Sequence, residues 1–163
     1  MIFVLCGGKS WRCCTRIDKE QLDTLVKKLQ KKIQDDEEKT YSKTVIREYR
    51  NPTKFGILKQ PNAIGVIKGP CGDTMKVTLQ IVNRKIKDAR FWTDGCGATL
   101  ASGNRLMKMI IGKTTKDAMG ITKTQLIEAL GGLPQTHHHC ALLAVNTLHQ
   151  ALKMYKPWEE GRI

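Results

Sequence analysis

From residue 18 onward the chain repeats apolar side chains at three- and four-residue steps. Leu22, Leu25, Val26, Leu29 and Ile33 share one face of a helix expected over about Asp18 to Glu38, with Asp18 and Gln21 as a capping pair. Tyr41 to Tyr49 predicts a second, short helix. Asn51-Pro52 stops it, because a residue before proline is pushed out of the helical region. The period then falls to two. Met75, Val77, Leu79 and Ile81 alternate with polar residues, and Ile86 to Trp92 continues the alternation after the short link Val82-Asn83-Arg84-Lys85. That pattern predicts an antiparallel hairpin, with Gly65 to Lys68 as a third strand.

From Ala98 the helical period returns. Leu100, Leu106, Met107, Ile110 and Ile111 form an apolar face that ends at Gly112. A short helix is expected near Thr114 or Thr115, and another from about Thr122 to Leu130, closed by Gly131-Gly132. The last runs from about His138 to Tyr155 with Leu142, Leu143, Val145, Leu148, Leu152 and Tyr155 inward. These elements imply an α+β fold: a small three-stranded antiparallel sheet with helices packed on one face. Residues 1–40 read as a mainly helical N-terminal extension and 41–163 as the domain proper.

Composition narrows the function classes. An apolar fraction of 40% with 26% charged residues argues against disorder. No apolar run approaches the roughly 20 residues of a membrane span. Met1 to Leu5 is apolar but too short for a secretory leader, so a cytoplasmic protein without membrane association is expected. The net charge of +13 would suit nucleic acid, an anionic surface or an acidic partner. The lysines of Lys27-Lys28 and Lys31-Lys32 are followed by Asp35-Asp36-Glu37-Glu38, however, and no base-stacking motif is present. A nucleic-acid-binding module is therefore a minor alternative. Gly112-Lys113-Thr114 resembles the end of a phosphate loop, but Met107 stands where that motif needs glycine. It reads as a helix stop and cap.

Six cysteines in a reducing compartment point to metal or redox chemistry rather than disulfides. Three of them fall at breaks between elements: Cys71 in Gly69-Pro70-Cys71-Gly72-Asp73, Cys96 in Gly95-Cys96-Gly97, and Cys140 after His139 at the start of the last helix. The flanking glycines allow unusual backbone angles and close approach of amides to a bound anion or sulfide. A helix N-terminus is expected to favour the Cys140 thiolate. Three thiolates with one carboxylate or imidazole would suit tetrahedral iron or zinc. Of His137-His138-His139, adjacent helical residues cannot all face one ion. His139 is the candidate ligand, while His137 and His138 are expected to face solvent. Cys6, Cys13 and Cys14 read as small apolar residues or an added metal or redox pair.

Tyr41-Ser42-Lys43 through Tyr49-Arg50-Asn51-Pro52, Gly69 to Lys76, Asp88-Ala89-Arg90-Phe91, Gly95-Cys96-Gly97-Ala98, Leu133-Pro134 and His139-Cys140 occur in that order and without large insertions. Over about residues 41–157 the chain thereby resembles the NifU/IscU iron–sulfur scaffold family. The resemblance implies carriage rather than enzymatic turnover. It implies a cysteine desulfurase that delivers persulfide sulfur, ferrous iron, an electron donor such as ferredoxin, a transient 2Fe–2S cluster, and transfer to apo iron–sulfur proteins. Cys71, Asp73, Cys96 and Cys140 would be the ligands, Cys140 the persulfide acceptor, and His139 an alternative ligand. A homo-oligomer and zinc in the isolated protein are both compatible with this reading.

Two departures sharpen it. Leu133-Pro134-Gln135-Thr136-His137 replaces the Leu-Pro-Pro-Val-Lys stretch read by a dedicated Hsp70 chaperone, which argues against that partner. Cys96 to Cys140 leaves no room for the insertion of a zinc-containing sulfur-transfer branch, the chief alternative function.

Overall fold

The computed structural model describes residues 18–155. Cys6, Cys13 and Cys14, the apolar opening Met1 to Leu5 and the last eight residues lie outside the described residues. Six helices and three strands follow in the order α1 (Lys19–Thr40), α2 (Lys43–Arg50), β1 (Ala63–Lys68), β2 (Thr74–Val82), β3 (Lys85–Thr93), α3 (Gly97–Ile110), α4 (Thr115–Met119), α5 (Lys123–Ala129) and α6 (His138–Met154). A single 3₁₀ turn, Gln135–His137, leads into α6. The chain divides into two compact units between Asp36 and Glu37. In the first, α1 has no buried residue, and its stripe of Leu22, Leu25, Val26, Leu29 and Ile33 is exposed.

In the second unit the sheet order is β1-β2-β3, antiparallel throughout. The β2–β3 hairpin turns at Asn83 and Arg84, both with positive φ (50° and 60°), the left-handed pair that matches the twist of the flanking strands. Met75, Val77, Leu79, Ile81, Ile86, Ala89 and Phe91 point to one side and are buried, as their alternation requires. Helix α6 covers that side over β1 and β2, and α3 covers it over β3. Helices lie on one face of the sheet, as expected. Ile64, Val66 and Trp92, on the other face, stay exposed.

Two glycines set how closely these layers approach. A Cβ on Gly65 of β1 would strike the backbone of Thr147 and Ala151 in α6. A Cβ on Gly103 of α3 would strike the ring of Phe91. Full burial of a ring such as Phe91 contributes about 1.5–3 kcal/mol, and here it depends on a missing methyl group. A third tie is polar. Glu48 on α2 is buried, yet its carboxylate accepts hydrogen bonds from Asn104 Nδ2 at 2.5 Å and Lys108 Nζ at 2.7 Å, both on α3. A buried charge held this way is costly to orphan, which fixes α2 on α3.

Local chemistry accounts for the shorter elements. Ser42 caps α2 by accepting from the Val45 amide, and its hydroxyl donates to the Leu130 carbonyl. Thr114 caps α4 and Thr122 forms a capping box with Gln125. Gly112-Lys113-Thr114 is therefore a stop and cap, as the sequence suggests. Gly131 and Gly132, both at positive φ, end α5 and start the chain toward α6.

Gly65→Ala is expected to destabilise the protein by about 1–3 kcal/mol, because backbone rather than a flexible side chain must yield. Urea unfolding followed by circular dichroism measures this. Unchanged stability would mean that α6 does not rest on β1 this closely.

Candidate metal centre

The strand ends, the start of α3 and the start of α6 meet at one end of the sheet. Cys71 occupies the tip of the β1–β2 turn, where Gly69 N–H donates to the Asp73 carbonyl at 2.7 Å and Gly72 N–H to the Gly69 carbonyl at 3.1 Å. Gly72 sits at φ 91°, which closes that turn at no steric cost. Cys71 is exposed. Cys96 is the N-cap of α3 and is also exposed, whereas Cys140, the third residue of α6, is fully buried.

One hydroxyl joins the first half of this centre. Thr99 is buried, and its Oγ1 donates to Asp73 Oδ2 at 3.1 Å while lying 3.6 Å from Cys96 Sγ. Gly95 makes the approach possible, because a Cβ there would stand 2.5 Å from Asp73 Oδ2. On the other side, Cys140 Sγ is 3.4 Å from His139 Nε2. Cys96 Sγ, Cys140 Sγ and a ring nitrogen of His137 all lie within 4.8 Å of one another.

The structure thus brings Cys96 and Cys140 together and links Asp73 to Cys96 through Thr99. It sets His139 against Cys140 and leaves Cys71 on the neighbouring turn. Two expectations need correction. His137 and His138 do not simply face solvent. His137 Nε2 lies 3.0 Å from Tyr41 Oη and His138 Nε2 lies 3.0 Å from the Leu133 carbonyl oxygen, because the 3₁₀ turn before α6 rotates these rings inward. Thr99 was not legible as a site residue, although its i+3 spacing from Cys96 across a helix start was the available signal.

The second correction concerns charge. Cys140 was expected to be the favoured thiolate. Instead burial pushes its thiol up to about 12, outweighing a hydrogen bond from Thr99, with the nearby Cys96 and Cys71 sulfurs adding to the rise. The α6 N-terminus does not offset this. At Cys96 burial also opposes ionisation, but the Thr99 hydroxyl, the amides of Thr99 and Ala98 at the start of α3, and the Cys140 thiol together hold its thiol below the ordinary range. The Thr99 hydroxyl contributes most to the lowering, and the helix-start amides of Thr99 and Ala98 add to it. Of the two, Cys96 therefore gives up its proton more readily, and Cys140 holds its proton more firmly.

Two soft sulfurs at this separation, an imidazole beside them and a carboxylate linked to one of them through Thr99 mark a candidate metal centre at the sheet end of a small α+β protein. The chain belongs to the NifU-like N-terminal domain family, whose profile matches residues 40–160. It is 37% identical over 126 residues to the iron–sulfur cluster assembly scaffold protein IscU of Aquifex aeolicus, covering 76% of this chain and 80% of that protein. It is likewise 37% identical over 127 residues to IscU of Rickettsia prowazekii, covering 75% of this chain and 96% of that protein. Its fold matches the N-terminal part of a nitrogen-fixing NifU-like protein from Brucella abortus, with TM-score 0.58 and 18% identity over 70% of this chain and 92% of that chain. Among the described residues no helix is long and apolar enough to cross a membrane.

The charge assignment has a direct consequence in metal-free, reduced protein. Only the thiolate is alkylated, so a lowered value lets Cys96 react at a lower pH than a free cysteine, while Cys140 stays unreactive through pH 9. Iodoacetamide labelling mapped by peptide mass spectrometry reads both sites, and faster labelling of Cys140 than of Cys96 would reverse the assignment. Thr99→Val keeps the shape but removes the hydroxyl. The pH midpoint for Cys96 labelling should then move upward.

Proposed function

We propose that the protein is a scaffold on which a 2Fe–2S cluster is assembled on Cys71, Asp73, Cys96 and Cys140 and from which it passes to apo-proteins. The observation that carries this reading is the convergence of Cys96, Cys140 and Asp73 around Thr99 at one open end of the sheet. Family membership supports it, since the IscU relatives are named as cluster assembly scaffolds.

In this reading the iron and sulfide are cargo. Ferrous iron meets the Cys96 thiolate first, because that sulfur is both exposed and already favoured as the anion. A bound cation then lowers the cost of ionising the neighbouring Cys140 and displaces its proton. As a thiolate, Cys140 attacks the outer sulfur of a persulfide on a cysteine desulfurase. The new Cys140 S–S bond forms as the donor's S–S bond breaks, and the donor cysteine leaves as its thiolate. An electron donor such as ferredoxin would reduce this persulfide sulfur to sulfide. No rate-enhancing turnover of a small substrate is required, so the role is carriage.

Asp73 has a separate part. A hard carboxylate oxygen binds ferrous iron well but holds an iron–sulfur cluster less firmly than a fourth thiolate would. Its other attachment is a single hydroxyl hydrogen bond to Thr99, which can be exchanged for iron. Asp73 is accordingly the ligand from which release begins.

Anaerobic reconstitution of the full chain with ferrous iron, cysteine and a desulfurase should produce visible charge-transfer absorption, and its absence from the wild-type protein would refute the scaffold reading. A colourless protein with stoichiometric zinc would instead indicate sulfur transfer alone. In the same assay Asp73→Ala is expected to give a longer-lived cluster that moves more slowly to an apo-ferredoxin. Equal or faster loss would remove Asp73 from the release step.

A further inference from the structure

Helix α1 carries a pattern of its own and takes no part in the centre described above. None of its 22 residues is buried, and Leu22, Leu25, Val26, Leu29 and Ile33 line one side at 41–58% exposure. Five large apolar side chains left open along one stripe mark a contact surface. The stripe follows a seven-residue repeat. Steps of four, three and four residues lead from Leu22 through Val26 and Leu29 to Ile33. Val26 and Ile33 thus take the a positions of a heptad, and Leu22 and Leu29 take the d positions. β-Branched side chains at a with leucine at d favour a parallel two-stranded coiled coil. The two flanks of the stripe differ in charge. Within α1 the e positions are Asp23, Gln30 and Glu37, with no cation among them. The g positions are Leu25, Lys32 and Lys39, with no anion among them.

We propose that the α1 stripe is a self-association surface, and that its partner is α1 of a second copy of this chain, packed parallel and in register. Leu22, Val26, Leu29 and Ile33 would each meet their own counterpart, giving four apolar layers. In that alignment a g residue of one helix faces the e residue five positions further along the other. Lys32 therefore faces Glu37 of the second copy, on both sides of the seam. Glu37 also pairs with Arg50 of its own chain at 2.5 Å, so Lys32 brings a second cation to a carboxylate already held in place. An antiparallel pair would set the lysine flank against itself and the acidic flank against itself. A membrane surface fits less well. Glu20, Asp35 and Glu38 share the face opposite the stripe with Lys27 and Lys31, so that face lacks the uniform positive charge of a membrane-binding helix. The seam ends at Asp36, the next d position, where a carboxylate replaces the leucine. Four layers make a short seam, so association is reversible and concentration-dependent. Nothing in it depends on the scaffold reading.

Analytical ultracentrifugation of the full, reduced chain over a range of concentrations tests this without a variant. The mass should rise from 18.4 kDa in dilute solution toward twice that value. Leu29→Asp puts a charge into a central layer and should leave a monomer at every concentration. No residue of α1 is buried, so this change spares the core, and circular dichroism checks that the helices remain. Lys32→Glu separates the two orientations by sign. In the parallel pair it sets carboxylates against each other and should weaken association at least about threefold. Tighter association of that variant would show an antiparallel pair and overturn the proposed geometry. A wild-type chain that stays monomeric throughout would overturn the proposal, including one that binds phosphatidylserine vesicles instead. So would a Leu29→Asp variant that still associates.

Discussion

Two cysteine sulfurs and a carboxylate converge here, and they cannot all be negative without a cation among them. Coulomb repulsion between unit charges about 4 Å apart is of order 4 kcal/mol at the effective dielectric of a protein surface. Protons relieve this repulsion. Cys140 keeps its proton because it is buried beside Cys96, and the single Thr99 hydroxyl proton lies between Asp73 and Cys96 and can serve either. Each of these is a position a metal ion can take over.

That arrangement demands a rigid frame, because its parts come from three turns far apart in sequence. Cys71 and Asp73 precede β2, Cys96 follows β3, and Cys140 begins α6. The β2–β3 register pairs Met75 with Thr93, so the two turns emerge together: the Thr74 amide donates to Asp94 Oδ1 at 2.6 Å and Thr93 Oγ1 donates to the Thr74 carbonyl at 2.7 Å. Helix α6 is located by Gly65, and α3 by Gly103 against Phe91. Core packing at these glycines thus sets the spacing of the sulfurs, even though neither glycine belongs to the site.

Much of this was legible in the sequence, for identifiable reasons. The period of two in Met75 to Ile81 and Ile86 to Trp92 gave the hairpin, because one face of the sheet is buried and the other is not. The helix stops at Gly112 and at Gly131-Gly132 were legible because their chemistry is local. The cysteines stood out by their positions at element ends, and the structure groups Cys96 with Cys140 while Cys71 lies on the neighbouring turn. The roles of Thr99 and His137 were not. Thr99 reads as an ordinary helix residue until Asp73, 26 positions away, is brought beside it. His137 turns inward because Tyr41, 96 positions away, receives it. The charge on Cys140 was misjudged for the same reason: helix position is local information, whereas burial beside a second sulfur is not. The stripe on α1 was legible as a helix face, but a stripe alone does not specify burial, and its residues remain exposed.

Exposure orders the ligands in a way that bears on how cargo enters and leaves. Cys140 is fully buried within a long helix, Cys96 is exposed at a helix start, and Cys71 is exposed at the tip of a turn. The attachment to the frame weakens along that series, from packed helix to helix terminus to turn. Asp73 sits on the same turn as Cys71, and its carboxylate is held by one hydroxyl. The turn side can therefore be reached without disturbing the core, and the candidate ligand with the hardest donor atom lies on that side. Under the proposed scaffold function, a buried thiol at one end and a replaceable carboxylate at the other would give the centre a direction, with the helix side retaining and the turn side exchanging.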